Sequence, residues 1–311
     1  MMKIVFMGTP YFGVQILNAL VKEHEVVLVV TQPDKEVGRK HIKTAPPVKV
    51  RAQELGIDVF QPNKIREEYQ YILDNYDFDL IVSAAYGQIV GTKLLFYPKF
   101  KAINVHASLL PKGRGGAPIQ RSIMNGDKET GITIMYMGKG MDTGDILAQE
   151  KLEINDDDTK ESLFNKLGEL GANMINDTID KLAKGDITPI PQNEKEVTYS
   201  YNITKDDEQL DFNISAFLVN CKVRALNDIG SSFSVNNVNF KIYHAEVVND
   251  KCEMEAGKVS EVNKKYIDIA CGDKFQIRIY ELKPEGRNLM KVSDYLNGKG
   301  KDILIKGAKC N

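Results

Sequence analysis

The sequence predicts an α/β protein: a Rossmann-like, mostly parallel sheet with helices on both faces, followed by a small all-β domain. Three observations carry that prediction. The runs KIVFMG, EVVLVVTQ, DLIVSAAY and AINVHA are too continuously apolar to be half-exposed strands, and strands buried on both faces read this way. They alternate with segments of helical period such as YFGVQILNALVKEH and KIREEYQYILDNY, the pattern of parallel βαβ units. Beyond about residue 230, short alternating segments separated by turn residues take over, and these indicate hairpins.

Taken in order, KIVFMG ends in Gly8, and Phe12, Ile16, Leu17 and Leu20 then recur on one helical face. This is strand, turn, helix. GITIMYM adds a strand after AINVHA, and the amphipathic segment 159–184 reads as a helix that closes the unit. From Gly185 the chain turns polar, carries Pro189 and Pro191 and loses its period, so it reads as a linker wrapped over the surface. NISAFLVNCKVRAL looks like one helix. FSVNNVNFKIYHAEVV, GKVSEV, KYIDIAC and KFQIRIYELK then supply strands for a small barrel or sandwich. The expected domains are a catalytic domain over 1–187, a linker over 188–207 and a C-terminal domain over 208–311.

At 311 residues the chain has the length for two packed domains. No apolar run approaches the roughly 20 residues of a membrane span, and the start MMKIVFMGTP lacks the basic head and apolar core of a secretory signal. The expected location is the cytoplasm. Cys221, Cys252, Cys271 and Cys310 never form a C-x-x-C pair, so they read as isolated thiols with no structural zinc. Net charge is only −2, yet residues 35–51 carry six basic side chains against Glu36, and residues 283–309 carry seven against Glu285, Asp294 and Asp302. Each patch is either a solvated face or a binding surface.

The stretch INVHASLLPKGRGGAP, residues 103–118, carries the clearest chemical signal. Ligands of open α/β sheets bind beyond the carboxyl ends of the strands, and AINVHA delivers Asn104 and His106 to that edge. Side chains two apart on a strand share a face. An amide donor and an imidazole can therefore converge on one atom, which suits a carbonyl that becomes an oxyanion. GMDTGD, residues 140–145, follows the next apolar strand and is expected at the same edge, with Asp142 placed to orient His106 or to take a proton through water. Without a Ser or Cys nucleophile beside this set, direct attack by an amine or water fits better than a covalent acyl-enzyme. Spacing alone leaves a second reading open, a structural histidine at a strand end beside an ordinary Asp-Thr-Gly turn. MGTPYFG lacks the G-x-G-x-x-G order and no P-loop occurs, so nicotinamide and ATP chemistry find no support.

FMGTPYFGV, TQPDKEVGRK followed by APPVKVRAQELGIDVFQP, SAAYGQIV, INVHASLLPKGRGGAPIQRSIMNGD, ETGITIMYMGKGMDTGDIL, KDDEQLDFN, VRALN and KPEGRNLMKVSDYLNG occur in collinear order between Lys3 and Gly298. Together they resemble the methionyl-tRNA formyltransferase family. His-x-Ser-Leu-Leu-Pro and Asp-Thr-Gly-Asp alone would specify only the wider folate-dependent formyltransferase group; the basic insert and the C-terminal motifs point to the tRNA-directed branch.

The resemblance implies formyl transfer from 10-formyltetrahydrofolate, a cosubstrate, to the amino group of methionyl initiator tRNA, with no metal. It places the catalytic groups at Asn104, His106 and Asp142. It places the folate site around Ser108, Leu109, Leu110 and Pro111, with Tyr86, Gly87, Gln88 and Ile89 and with Gly140, Thr143 and Asp145 lining the rest. It assigns Arg39, Lys40 and Lys43 to the tRNA acceptor stem, and Lys283, Arg287 and Lys291, on a barrel resembling an OB fold, to the tRNA body. Arg114 is either structural or a partner for an anion, with the structural reading favoured, and the expected form is a monomer. Two departures stand out. Gly113 occupies a position where the family usually has Trp or Tyr, and Asn227-Asp228-Ile229-Gly230 replaces an Asn-Pro-Trp-Pro motif. The rival readings are a formyltransferase for another amine, such as an amino-sugar nucleotide, or for water, and a non-catalytic tRNA-binding protein.

Overall fold

Lys3–Gly8 (β1) is an inner strand of a seven-stranded sheet, and every residue after Lys3 is apolar or Gly and is buried. This computed structural model describes residues 1–38 and 41–311. The neighbouring strands are Glu25–Val30 (β2), Lys35–Val37 (β3), Ile42–Thr44 (β4), Val59–Phe60 (β5), Leu80–Ala84 (β6), Ala102–His106 (β7), Glu129–Tyr136 (β8) and Ile146–Glu153 (β9). The sheet order is β5-β2-β1-β6-β7-β8-β9, while β3 and β4 pair apart as an antiparallel hairpin. β5, β2, β1, β6 and β7 run parallel, and β8 runs antiparallel to β7. A mostly parallel sheet was the expectation. β5 and β9 were not anticipated. The first is two residues long, and the second, ILAQEKLE, lies at the sheet edge with four exposed polar residues among its eight, so neither leaves a continuous apolar run.

Contacts divide the chain into two units. The first comprises Met1–Gly116, Thr130–Glu153 and Phe164–Ser200; the second comprises Ala117–Glu129, Ile154–Leu163 and Tyr201–Asn311. In the first, the two faces of β7 have different partners. Val105 faces the helix Lys160–Lys184, so closely that a Cβ on Gly171 would lie 2.9 Å from Val105 Cγ1. Ala102 lies on the other face, in a core shared with Met7, Val30, Ile81 and Tyr86. By alternation, Asn104 and His106 share the face of Ala102.

In the second unit, Ser231–Val235 (β10), Val238–Ile242 (β11), Glu246–Val248 (β12), Val259–Val262 (β13), Ile267–Ala270 (β14), Gln276–Ile279 (β15), Glu281–Pro284 (β16) and Met290–Lys291 (β17) form two antiparallel four-stranded sheets. Their orders are β10-β11-β16-β17 and β12-β15-β14-β13. The first hairpin closes on Asn236 and Asn237 at φ 50° and 64°, the left-handed pair that a two-residue turn requires. One core serves both sheets, with Phe233 stacked on Phe240 at 5.3 Å and Tyr295 edge-on to Phe240. The helix Ala216–Ala225 buries Ala216, Val219 and Val223 in it, and its other neighbour is the helix Pro118–Asn125. Among the described residues no helix is long and apolar enough to cross a membrane.

Candidate active site

β7 sets the site because it ends in a loop that turns back on its own last side chain. His106 is buried at 7% exposure, and its Nε2 lies 3.0 Å from the carbonyl oxygen of Gly113. A carbonyl only accepts, so Nε2 carries the proton in this contact. Nδ1 is left facing Asp142, with Oδ2 3.8 Å away. That gap is too long for a direct hydrogen bond and short enough for close electrostatic coupling. Asn104 is half-buried on the same strand face; among the described residues no hydrogen bond takes up its carboxamide.

Asp142 reaches His106 by a route the sequence did not indicate. Its loop was expected at the carboxyl edge of the parallel strands. β8 instead runs antiparallel, with Thr133 opposite His106 and Tyr136 opposite Ile103. Its carboxyl end therefore lies beside the beginning of β7, and the following loop must return across the sheet face to bring Asp142 to the histidine. Asp142 itself sits at φ +54°, a left-handed conformation that Asp, like Asn, adopts more readily than most residues. Its Oδ2 accepts a 2.9 Å hydrogen bond from the Gly115 backbone N–H.

The other expected site residues fall into two groups. Ser108 and Leu110 are buried supports. The Ser108 hydroxyl donates to the Lys112 carbonyl at 2.7 Å, and Thr133 Oγ1 both donates to the Ser108 carbonyl and accepts from the Leu110 N–H. Tyr86 lies in the core, where burial pushes its phenol pKa upward with the Glu68 charge adding to it. Gln88 is occupied as well, accepting from the Ile65 N–H and donating to the Pro62 carbonyl. In contrast, Leu109 and Pro111 are half-exposed, Gly87, Gly140 and Thr143 are exposed, and Asp145 is half-buried, its carbonyl accepting from the Tyr136 N–H. Two apolar side chains on these loops stand in solvent, Ile89 at 72% and Met141 at 54% exposure.

Arg114 is structural, as its sequence position suggested. Its side chain is 2% exposed, held by both carboxylate oxygens of Glu194 at 2.8 and 3.2 Å and by Gln192 Oε1. Its backbone N–H donates to the Thr198 carbonyl, its carbonyl accepts from the Ser200 N–H, and the Gly113 N–H donates to Thr198 Oγ1. Residues 192–200 thus brace the loop that carries the His106 partner. Sequence reasoning missed them because a polar, Pro-containing stretch has no periodic signature of burial.

The basic residues are dispersed. Arg39 and Lys40 lie outside the described residues. Lys43 is exposed on β4, whereas Lys49 is paired with Asp34 at 2.8 Å and Arg51 with Asn18 and Glu54. In the second unit Lys283 is half-exposed on β16 and Arg287 is exposed. Lys291 lines a cavity of about 560 Å³ with His244, Lys265, Tyr280, Glu281 and Ser293.

Known proteins share this architecture. The formyl transferase family model matches residues 2–179, and the model of the formyl transferase C-terminal domain matches residues 202–300. Over 302 residues the chain is 44% identical to a methionyl-tRNA formyltransferase of Levilactobacillus brevis, covering 96% of both proteins. The chain belongs to the methionyl-tRNA formyltransferase family. A second relative of that name, from Halalkalibacterium halodurans, is 44% identical over 307 residues, with 98% of this chain and 97% of the relative covered. The crystal structure of an N-formyltransferase from Helicobacter canadensis, in complex with folinic acid and dTDP-3-aminofucose, matches with a TM-score of 0.68 at 22% identity, over 89% of this chain and 98% of that one. That likeness shows a shared fold.

Both departures from the methionyl-tRNA formyltransferase pattern have local explanations. Gly113 is at φ +77°, and a Cβ there would lie 2.9 Å from Ser108 Cβ, so this backbone has no place for a Trp or Tyr. At 227–230, Gly230 at φ +79° donates its N–H to the Leu226 carbonyl at 2.7 Å and closes the turn that follows the helix, while Asp228 pairs with Lys160. The helix packs into the β core without the Pro-Trp-Pro.

Proposed function

We propose that the protein transfers the formyl group of 10-formyltetrahydrofolate to the α-amino group of methionine esterified to initiator tRNA. The observation that carries this reading is the meeting of His106 with Asp142 beside Asn104, on one sheet face and in a chain whose full-length relatives bear that enzyme name. The folate is a substrate, consumed at each turnover. The loops around the site suit a flat, partly apolar ring, because Ile89 and Met141 are exposed while Ser108, Leu110, Tyr86 and Gln88 brace the backbone beneath.

In this reading the neutral amine forms its new bond to the formyl carbon while Asn104, and His106 as its Nε2–H turns from the Gly113 carbonyl, supply hydrogen-bond donors to the oxygen that becomes negative. Asp142 orients the imidazole and passes the proton lost by the ammonium centre, through one water, to the nitrogen whose bond to the formyl carbon breaks. Leu109 and Pro111 with Gly87, Gly140, Thr143 and Asp145 border the folate. Lys43 with Arg39 and Lys40 meets the acceptor stem, and Lys283, Arg287 and Lys291 hold the tRNA body through its phosphates. The protein works as a cytoplasmic monomer.

The test is formylmethionine formation from 10-formyltetrahydrofolate with methionyl initiator tRNA, run beside methionyl elongator tRNA and an amino-sugar nucleotide. Product with the initiator alone is expected; product with the sugar alone would replace this reading by its rival. His106→Ala is expected to slow transfer by roughly 10²–10³-fold, with tRNA affinity measured by filter binding nearly unchanged.

A further inference from the structure

We infer that Gln192 is a positioning residue for the His106–Asp142 pair, an inference that rests on the formyl-transfer reading above. Its carboxamide, which belongs to neither site loop, is hydrogen-bonded to both. Oε1 accepts from Arg114 Nε at 3.0 Å and from Arg114 Nη2 at 2.8 Å. Nε2 donates to the carbonyl oxygens of Asp142 and Gly144, both at 2.8 Å. An amide has two acceptor sites and two N–H groups, and all four are used.

The consequence is geometric. On one side, Gln192 holds Arg114, the neighbour of Gly113, whose carbonyl fixes His106 Nε2. On the other, it holds the backbone of Asp142, at φ +54° in the left-handed region, through its carbonyl. The carboxylate end of Asp142 has its own anchor on the Gly115 N–H, in the same loop as Arg114. The Nδ1–Oδ2 separation is therefore set by two loops that Gln192 ties together. Glu194 supports the Arg114 half of this arrangement only.

Replacing the amide by a carboxylate separates the two halves. Gln192→Glu keeps acceptors for Arg114 and adds an ion pair, so the fold is retained, while its oxygens face the Asp142 and Gly144 carbonyls without hydrogens to offer. The expected result is a kcat lower by about 10- to 100-fold with KM for both substrates within about twofold and an unchanged thermal midpoint. Gln192→Ala should lose rate and midpoint together. In an Asp142→Asn background, Gln192→Glu should cost far less than in the wild type, because both changes act through one group. The 15N shifts of the His106 ring, read without substrate, should move in Gln192→Glu. An unaltered kcat, or a full additional loss in the Asp142→Asn background, would overturn the assignment. A wild-type protein that formylates nothing while its ring shifts still respond to Gln192→Glu would instead sink the functional reading and leave the positioning role standing.

Discussion

Gly113 shows how one missing Cβ can decide a site. Its carbonyl holds His106, its N–H is held by Thr198, and its φ is +77°. Gly113→Ala is expected to destabilise the protein by about 1–3 kcal/mol, from backbone strain at positive φ and the contact with Ser108, and to lower kcat more than it changes the folate KM. Steady-state kinetics beside denaturant unfolding would check both effects. His24 offers a second test at this scale. It is buried with no hydrogen-bond partner at Nε2, and burial lowers its pKa below 6.5, against a smaller opposing pull from Asp180. The unfolded chain therefore binds a proton more readily than the folded one. Stability from this group is complete above the unfolded value and is lost as pH falls below about 6.5 toward the folded value. His24→Gln should shrink the difference between unfolding midpoints at pH 7.5 and pH 5.5; an identical difference in both proteins would rule this out.

Elements were legible where burial is continuous and illegible where hydrogen bonds replace it. KIVFMG, EVVLVV, LIVSA and AINVH became β1, β2, β6 and β7 because a run apolar on both faces has few other fates. Asn104 and His106 followed from the alternation of β7. The reversed direction of β8 was not readable, since an apolar strand carries no mark of its direction, and with it went the route of the Asp142 loop. Residues 192–200 were hidden for another reason: their order comes from single polar contacts with Arg114, Gly113 and Asp142. Just beyond them, Asp207 accepts from both Arg121 Nη1 and Nη2 and caps its own helix at Thr204. The Arg121 hydrogen bonds hold the Asp207 carboxyl well below the usual carboxylate range. A depressed pKa stabilises the fold in full above the unfolded value near 3.8, and that contribution fades below it and is gone only once pH has fallen through the folded value. Asp207→Asn is expected to cost about 1–3 kcal/mol at pH 7 and a measurably smaller amount at pH 3, as urea titrations at the two pH values would show.

For the whole molecule, the proposed reading puts the chemistry in one unit and the contacts to the tRNA body in the other. His106, Asp142 and their bracing residues all belong to the first unit, while Lys283, Arg287 and Lys291 belong to the second. A mild overall charge of −2 hides this arrangement, because acidic residues elsewhere cancel the basic stretches in the sum. Phosphate contacts release condensed counterions, so each one lost lowers the slope of log affinity against log salt by about one, independently of the chemical step. Lys291→Ala is therefore expected to weaken binding of methionyl-tRNA and to reduce that slope by about one. The rate at saturating tRNA and the KM for the folate should stay as they were. Filter binding between about 50 and 200 mM salt measures the first pair, and steady-state kinetics the second. A fall in the saturated rate with the salt slope intact would place Lys291 in the chemistry and break the separation that the two units suggest.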